Sequence, residues 1–156
     1  MKILQMKSIL TKIILITGLL IPCFLGVSYA QAATETETAE TVDIPANEKL
    51  VVVWTSGDRE VALKMVFMYT LNSKRFNWWQ DITLVVWGPS AKLLVEDKEL
   101  QDYLAKIIES GTVVKACKGC ADQYGVSEQL EALGIEVKYM GELTDYLKEG
   151  RHVITF

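Results

Sequence analysis

Two near-continuous apolar runs, Leu50-Val51-Val52-Val53-Trp54 and Ile82-Thr83-Leu84-Val85-Val86-Trp87, constrain this chain more than any other feature. A strand with one wet face alternates apolar and polar side chains. A run apolar at successive positions has both faces dry, as an interior strand of a covered parallel sheet does. Turn chemistry stops each run, Thr55-Ser56-Gly57-Asp58 after the first and Gly88-Pro89-Ser90 after the second. Ser56 or Asp58 then caps a helix from about Arg59 to Leu71, and Ser90 a short one through Val95. The first of these is apolar nearly all round, which predicts cover on more than one side, including from a neighbouring subunit. Asp97 opens a longer helix with Leu100, Tyr103, Leu104, Ile107 and Ile108 at helical spacing, and Gly111 supplies its stop. Thr112-Val113-Val114-Lys115 reads as a third strand, and Ser127 caps a helix carrying Leu130 and Leu133. Ile135 to Met140 alternates apolar with charged residues, as a strand near the sheet edge would. Leu143, Tyr146 and Leu147 mark a last helix before a terminal strand, His152 to Phe156.

Strand and helix thus alternate five times, and each connection has room for a crossover. The expected fold is α/β: a three-layer α/β/α sandwich with a five-stranded, mainly parallel sheet. Ligands of such sheets sit beyond the C-terminal strand ends. That rule gathers Trp54, Ser56, Asp58, Trp87, Pro89 and Met140-Gly141 on one rim, together with the segment Cys117 to Cys120.

The N-terminus is read separately from the fold. Lys2, Lys7 and Lys12 precede an apolar run from Ile13 to Val27, and small residues follow at Ser28 and Ala30. This is the pattern of a signal peptide over residues 1–30, predicting an exported, periplasmic or otherwise extracytoplasmic protein. The run is short and broken by Pro22, which argues against a retained anchor. Pro22 before Cys23, where a lipoprotein has a small residue, argues against lipid attachment. Residues 31–47 are rich in Thr, Glu and Ala and read as a flexible lead-in. Residues 48–156 have the size of one domain. Without the leader, 13 basic residues face 20 acidic ones. An acidic domain of this kind is a poor match for nucleic acid or an anionic membrane, and neither is expected as a partner.

The chemistry-bearing stretch is Ala116-Cys117-Lys118-Gly119-Cys120-Ala121-Asp122-Gln123-Tyr124-Gly125-Val126. It follows the third strand and turns helical, so Cys117 belongs at a strand-to-helix junction. Unpaired first-turn N–H groups and the helix dipole favour a thiolate there, and Lys115 and Lys118 add positive charge. A Cys-x-x-Cys pair permits attack by one sulfur and resolution by the second. A stabilising disulfide is the plainer reading in an exported protein, although so short a loop gains little entropically. Lys118 and Tyr124 join the rim as neighbours of the pair. Loop aromatics Phe76, Trp78 and Trp79 either pack back on their own domain or form an oligomer contact.

From Leu50 to Phe156 the chain resembles the DsrE/DsrF-like family, which includes sulfur-relay proteins of the DsrE and TusD type. The likeness is carried by the first strand ending in Trp54-Thr55-Ser56-Gly57-Asp58, the turn Trp87-Gly88-Pro89-Ser90, and the block from Cys117 to Val126. Cys117 matches the cysteine that ends the corresponding strand in relay members, with Gly125-Val126 at the family's distance from it. Cys120 falls where those members have a small residue. The resemblance implies a three-layer α/β/α domain that assembles into trimers or hexamers. It also implies a sulfane-sulfur carrier that holds sulfur as a persulfide on Cys117 and exchanges it with a donor or acceptor, protein or small compound.

Rival readings stay open beside it. A dithiol/disulfide redox protein would use Cys117 and Cys120 together. A thioredoxin fold is disfavoured, because no proline follows Pro89 to lie beside the pair. Two thiols and the distant His152 fall short of a zinc set, so no metal is expected. Asp58 in the first strand-to-helix turn repels phosphate, and no glycine-rich fingerprint is present, so no nucleotide cofactor is expected. A non-catalytic exported oligomeric binding or scaffold protein is the remaining alternative.

Overall fold

The structure, a computed structural model, describes residues 43–156. The expected signal peptide and residues 31–42 of the lead-in lie outside the described residues. The chain enters through a short 3-10 turn, Ala46–Glu48, which leads directly into the first strand.

Five strands form one sheet: β1 (Lys49–Trp54), β2 (Asp81–Val86), β3 (Val113–Cys117), β4 (Glu136–Lys138) and β5 (His152–Thr155). Their order is β4-β3-β2-β1-β5, and each neighbouring pair is parallel. The two continuous apolar runs are the central strands β1 and β2, each with five consecutive buried residues. The short strands β4 and β5 form the edges, which limits the backbone available for unwanted pairing.

The helices divide unequally between the two faces. The first crossover is a single helical run, α1 (Arg59–Val61), a π-helical stretch Ala62–Phe67 and α2 (Met68–Arg75). Next come α3 (Pro89–Glu96), α4 (Lys98–Glu109), α5 (Lys118–Tyr124) and α6 (Ser127–Ala132). From β1 to β4 the chain steps across the sheet in one direction, so right-handed crossovers put all these helices on one face. The return from β4 to β5 runs the other way and carries only α7 (Glu142–Lys148) to the opposite face. The sandwich therefore has three layers, one of them thin. The larger core holds Leu50, Val52 and Trp54 of β1 with Phe67, Leu94, Leu104 and Leu130. The smaller one holds Val51, Val53, Val85, Cys117, Met140 and Tyr146.

Local capping departs from expectation in two of four places. Asp58 accepts from the Glu60 and Val61 N–H groups and is the N-cap of α1, and Asp97 accepts from Leu100 N–H at the start of α4. Ser90 is not a cap, because Pro89 already opens α3. Its Oγ instead donates to the Trp54 carbonyl at 2.6 Å and accepts from Trp87 N–H at 3.0 Å, tying the ends of β1 and β2 together. Ser127 is the first residue of α6 rather than its cap, and its hydroxyl donates to Asp122. Gly125 closes α5 at φ +68, a left-handed conformation that costs glycine no Cβ clash.

Candidate functional site

Strand β3 delivers the site. Successive side chains of a strand point to opposite faces, so Val114 and Ala116 enter the larger core while Lys115 and Cys117 face α7. Cys117 is the last residue of β3 and the residue from which α5 departs, as the sequence predicts. Cys120 lies one turn into α5 and packs against the same small cluster. Both are free thiols.

Their exposure is unequal. Cys117 is 8% exposed and belongs to a small buried cluster with Val51, Val53, Val85, Met140 and Tyr146, whereas Cys120 is half-buried. The thiol expected at this junction is thus mostly covered, and Cys117 stands opposite Lys138 of the neighbouring strand β4. Burial pushes the Cys120 thiol up, and the neighbouring Cys117 thiol adds to this. The Gly88 backbone N–H and the Trp87 side chain act the other way without reversing it. Cys120 therefore keeps its proton at neutral pH.

The positive charge expected beside Cys117 is largely neutralised. Lys115 is buried, and its Nζ lies 2.5 Å from Glu142 Oε1, 3.3 Å from Glu136 Oε2 and 5.7 Å from the centre of the Tyr146 ring. Burial alone lowers the Lys115 ammonium, but hydrogen bonds to Glu142 and Tyr146 outweigh it and hold the group well above its usual range. For Glu142, burial pulls upward, and the Lys115 ammonium overcomes it to leave the carboxyl below its usual range. Lys118 is half-buried and donates to Asp122 at 2.8 and 2.9 Å.

The remaining rim residues separate into two groups. Trp87 packs against the cysteine cluster and, with Pro89, lines a shallow apolar hollow of about 380 Å³. Val53, Thr55, Gly88, Leu143 and Thr155 complete its wall, at the C-terminal ends of β1, β2 and β5. Trp54 does not belong to this surface. Its position in β1 turns the side chain into the larger core, edge-on to Phe67 with ring centres 5.1 Å apart. Ser56 accepts from Asp58 N–H, and both act as turn and cap residues. Tyr124 is exposed and, with Gly57, Pro89 and Lys92, borders a groove on the helix-rich side. Leu143 and Thr155 were missed because the β4-to-β5 return, which brings them beside Trp87, leaves no local signal. Lys115 was legible as a same-face neighbour of Cys117 from the period of two, but its carboxylate partners were not.

Among the described residues, no group of three or more His, Cys, Asp or Glu side chains comes together in a way that could hold a metal ion. The fold and site define a small parallel α/β domain with a free thiol pair where its third strand meets a helix. The chain belongs to the DsrE/DsrF-like family, whose model matches residues 48–156. Membership suggests a role of the sulfur-relay type. A conserved protein of unknown function from Bacteroides thetaiotaomicron is 38% identical, with a TM-score of 0.70 over 72% of this chain and 98% of that one. The ychN protein from E. coli shares the fold at 19% identity and TM-score 0.56, covering 70% of this chain and 99% of that one. An uncharacterised protein of Methanopyrus kandleri is 33% identical over 90 residues, 48% of this chain and 74% of its own length.

Proposed function

We propose that the protein is a sulfane-sulfur carrier that holds sulfur as a persulfide on Cys117, with Cys120 as its proton-holding neighbour. In the loading step the Cys117 thiolate attacks the outer sulfur of a donor persulfide. A new Cys117–sulfur bond forms, the donor's S–S bond breaks, and the donor leaves as a thiolate with the electron pair. Delivery is the same exchange run towards an acceptor thiolate, with no net oxidation. The observation that carries this reading is the free thiol at the end of β3, beside a second free thiol and the rim hollow.

The test is intact mass after incubation of the reduced protein with a persulfide donor. Wild type and Cys120→Ser are expected to gain one sulfur atom, and Cys117→Ser none. Unchanged mass in all three would leave a binding or scaffold role. A dithiol redox role is the second reading, favoured by the packing of the free Cys120 thiol against the cluster that holds Cys117. It requires disulfide cycling that is lost in either serine variant, whether or not a sulfur donor is present.

We also propose that the protein self-associates through the outer face of its first helix. Met65 and Met68 on that helix, and Phe76 and Trp78 just after its end, are each about half or more exposed, and Trp78 lies 5.8 Å from Phe76 and 5.9 Å from Tyr69 between ring centres. Contiguous apolar surface of this kind marks an interaction site.

A further inference from the structure

The hollow next to the thiol cluster includes neither cysteine in its wall and, among the described residues, no charged side chain. Trp87, Pro89, Leu143 and Val53 supply most of it, and the Thr55 hydroxyl is already engaged, donating to the Phe156 carbonyl at 2.7 Å. Three of its wall residues also touch the thiol cluster: Val53 is part of it, and Trp87 and Leu143 pack against it. The nearest lysines offer an anion little. Lys115 is held by Glu142 and Glu136, and Lys118 by Asp122. An anion entering the hollow would shed water and meet no cation there: the Gly88 N–H and the Trp87 side chain are turned to Cys120, which leaves the Thr155 hydroxyl at the exposed edge as poor replacement. A hydrocarbon group gains from the same move. The volume, about 380 Å³, lies in the range of small-molecule sites, roughly 300–1,000 Å³.

Resting on the sulfur-carrier reading, we propose that the small-molecule donor or acceptor of this site is an organic sulfur compound with an uncharged hydrocarbon tail. The tail occupies the hollow between Trp87, Pro89 and Leu143, and its sulfur reaches the thiol pair. With an alkyl hydropersulfide as donor, the Cys117 thiolate takes the outer sulfur. The S–S bond of the donor breaks, and the alkyl thiolate departs with the electron pair. The same contacts held in reverse would deliver the sulfur to an alkyl thiolate. Inorganic sulfur anions and organic donors with ionised tails are the excluded class.

Propyl hydropersulfide and its sulfonate-ended analogue share the reacting group and differ only in tail charge, so they isolate the hollow from intrinsic reactivity. Loading of the reduced wild-type protein, followed by intact mass, is expected to favour the propyl donor by at least about tenfold, the ratio set by about 1.4 kcal/mol. Leu143→Lys and, independently, Thr155→Lys on the exposed edge strand are expected to abolish or reverse that preference. Dipropyl sulfide, which has a tail but no transferable sulfur, is expected to shift the methyl resonances of Val53 and Leu143 and to slow loading. Equal loading of wild type by the two donors overturns the proposal while leaving the carrier reading intact. If neither donor loads the protein, the carrier reading falls. Shifts caused by dipropyl sulfide then support the tail site on their own, and their absence overturns it as well.

Discussion

Lys115 and Cys117 sit two residues apart on the same face of β3, yet only one of them is left without a charged partner. The lysine is committed to Glu142, and the pair braces α7 against the strand that carries the thiol. Removing one member of a buried pair leaves the other uncompensated. Glu142 retains Lys138 at 3.4 Å, so the cost falls below that of a fully orphaned charge. Lys115→Met is expected to lose about 2–3 kcal/mol by urea unfolding at neutral pH. Adding Glu142→Leu should restore part of it. The pH dependence has two limbs. Glu142 is depressed, so its contribution is present above its unfolded value of about 4.3 and is lost as pH falls through the lower folded value. Lys115 is raised, so its contribution is present below about 10.4 and is lost as pH rises through the higher folded value. The acid limb of the stability profile is therefore expected to flatten in Lys115→Met.

At the scale of elements, the rim depends on how strand ends are held. Ser90 is fully buried, and its hydroxyl bridges the Trp54 carbonyl and the Trp87 N–H. Both backbone groups keep their bond to each other at 2.9 Å, so deletion of the hydroxyl leaves each less satisfied rather than bare. Ser90→Ala is expected to cost about 1–2 kcal/mol in the urea midpoint at constant slope. Because Trp87 lines the hollow and packs on the cysteine cluster, the variant is also expected to slow loading of Cys117 by the propyl donor. The π-helical stretch Ala62–Phe67 acts at the same scale. Its Ala62, Val66 and Phe67 are buried while Lys64, Met65 and Met68 point outward, so the wide turn divides an almost uniformly apolar sequence into a core side and an outer side.

Among the described residues the domain is lopsided. One sheet face carries the crossover helices from α1 to α6, and the other carries α7 alone. On the crowded side, the outer surface of the first helix remains apolar and is flanked by Lys64 and Arg75. Residues 61–80 contain three cations and no Asp or Glu in an otherwise acidic domain. A local positive surface on an acidic molecule is complementary to the rest of its own kind, which favours association between copies. The double variant Phe76→Glu/Trp78→Glu is expected to lower the sedimenting mass relative to wild type without changing the thermal midpoint of the monomeric fold. An unchanged mass would remove this face as the contact.

The continuous apolar runs of β1 and β2 were enough to establish a parallel α/β sheet, because burial on both faces suppresses alternation within the strand itself. Cys117 was legible as the junction residue for a similarly local reason: β-branched residues lead up to it and helical spacing follows. What the tertiary structure alone decided was which charges meet and which surfaces close. Lys115 was neutralised by Glu142 across 27 residues of chain, Cys117 was left only 8% exposed, and Trp54 turned away from the rim. The first two follow from the right-handed return that carries α7 to the opposite face. That return depends on strand order, a property no single stretch of sequence contains.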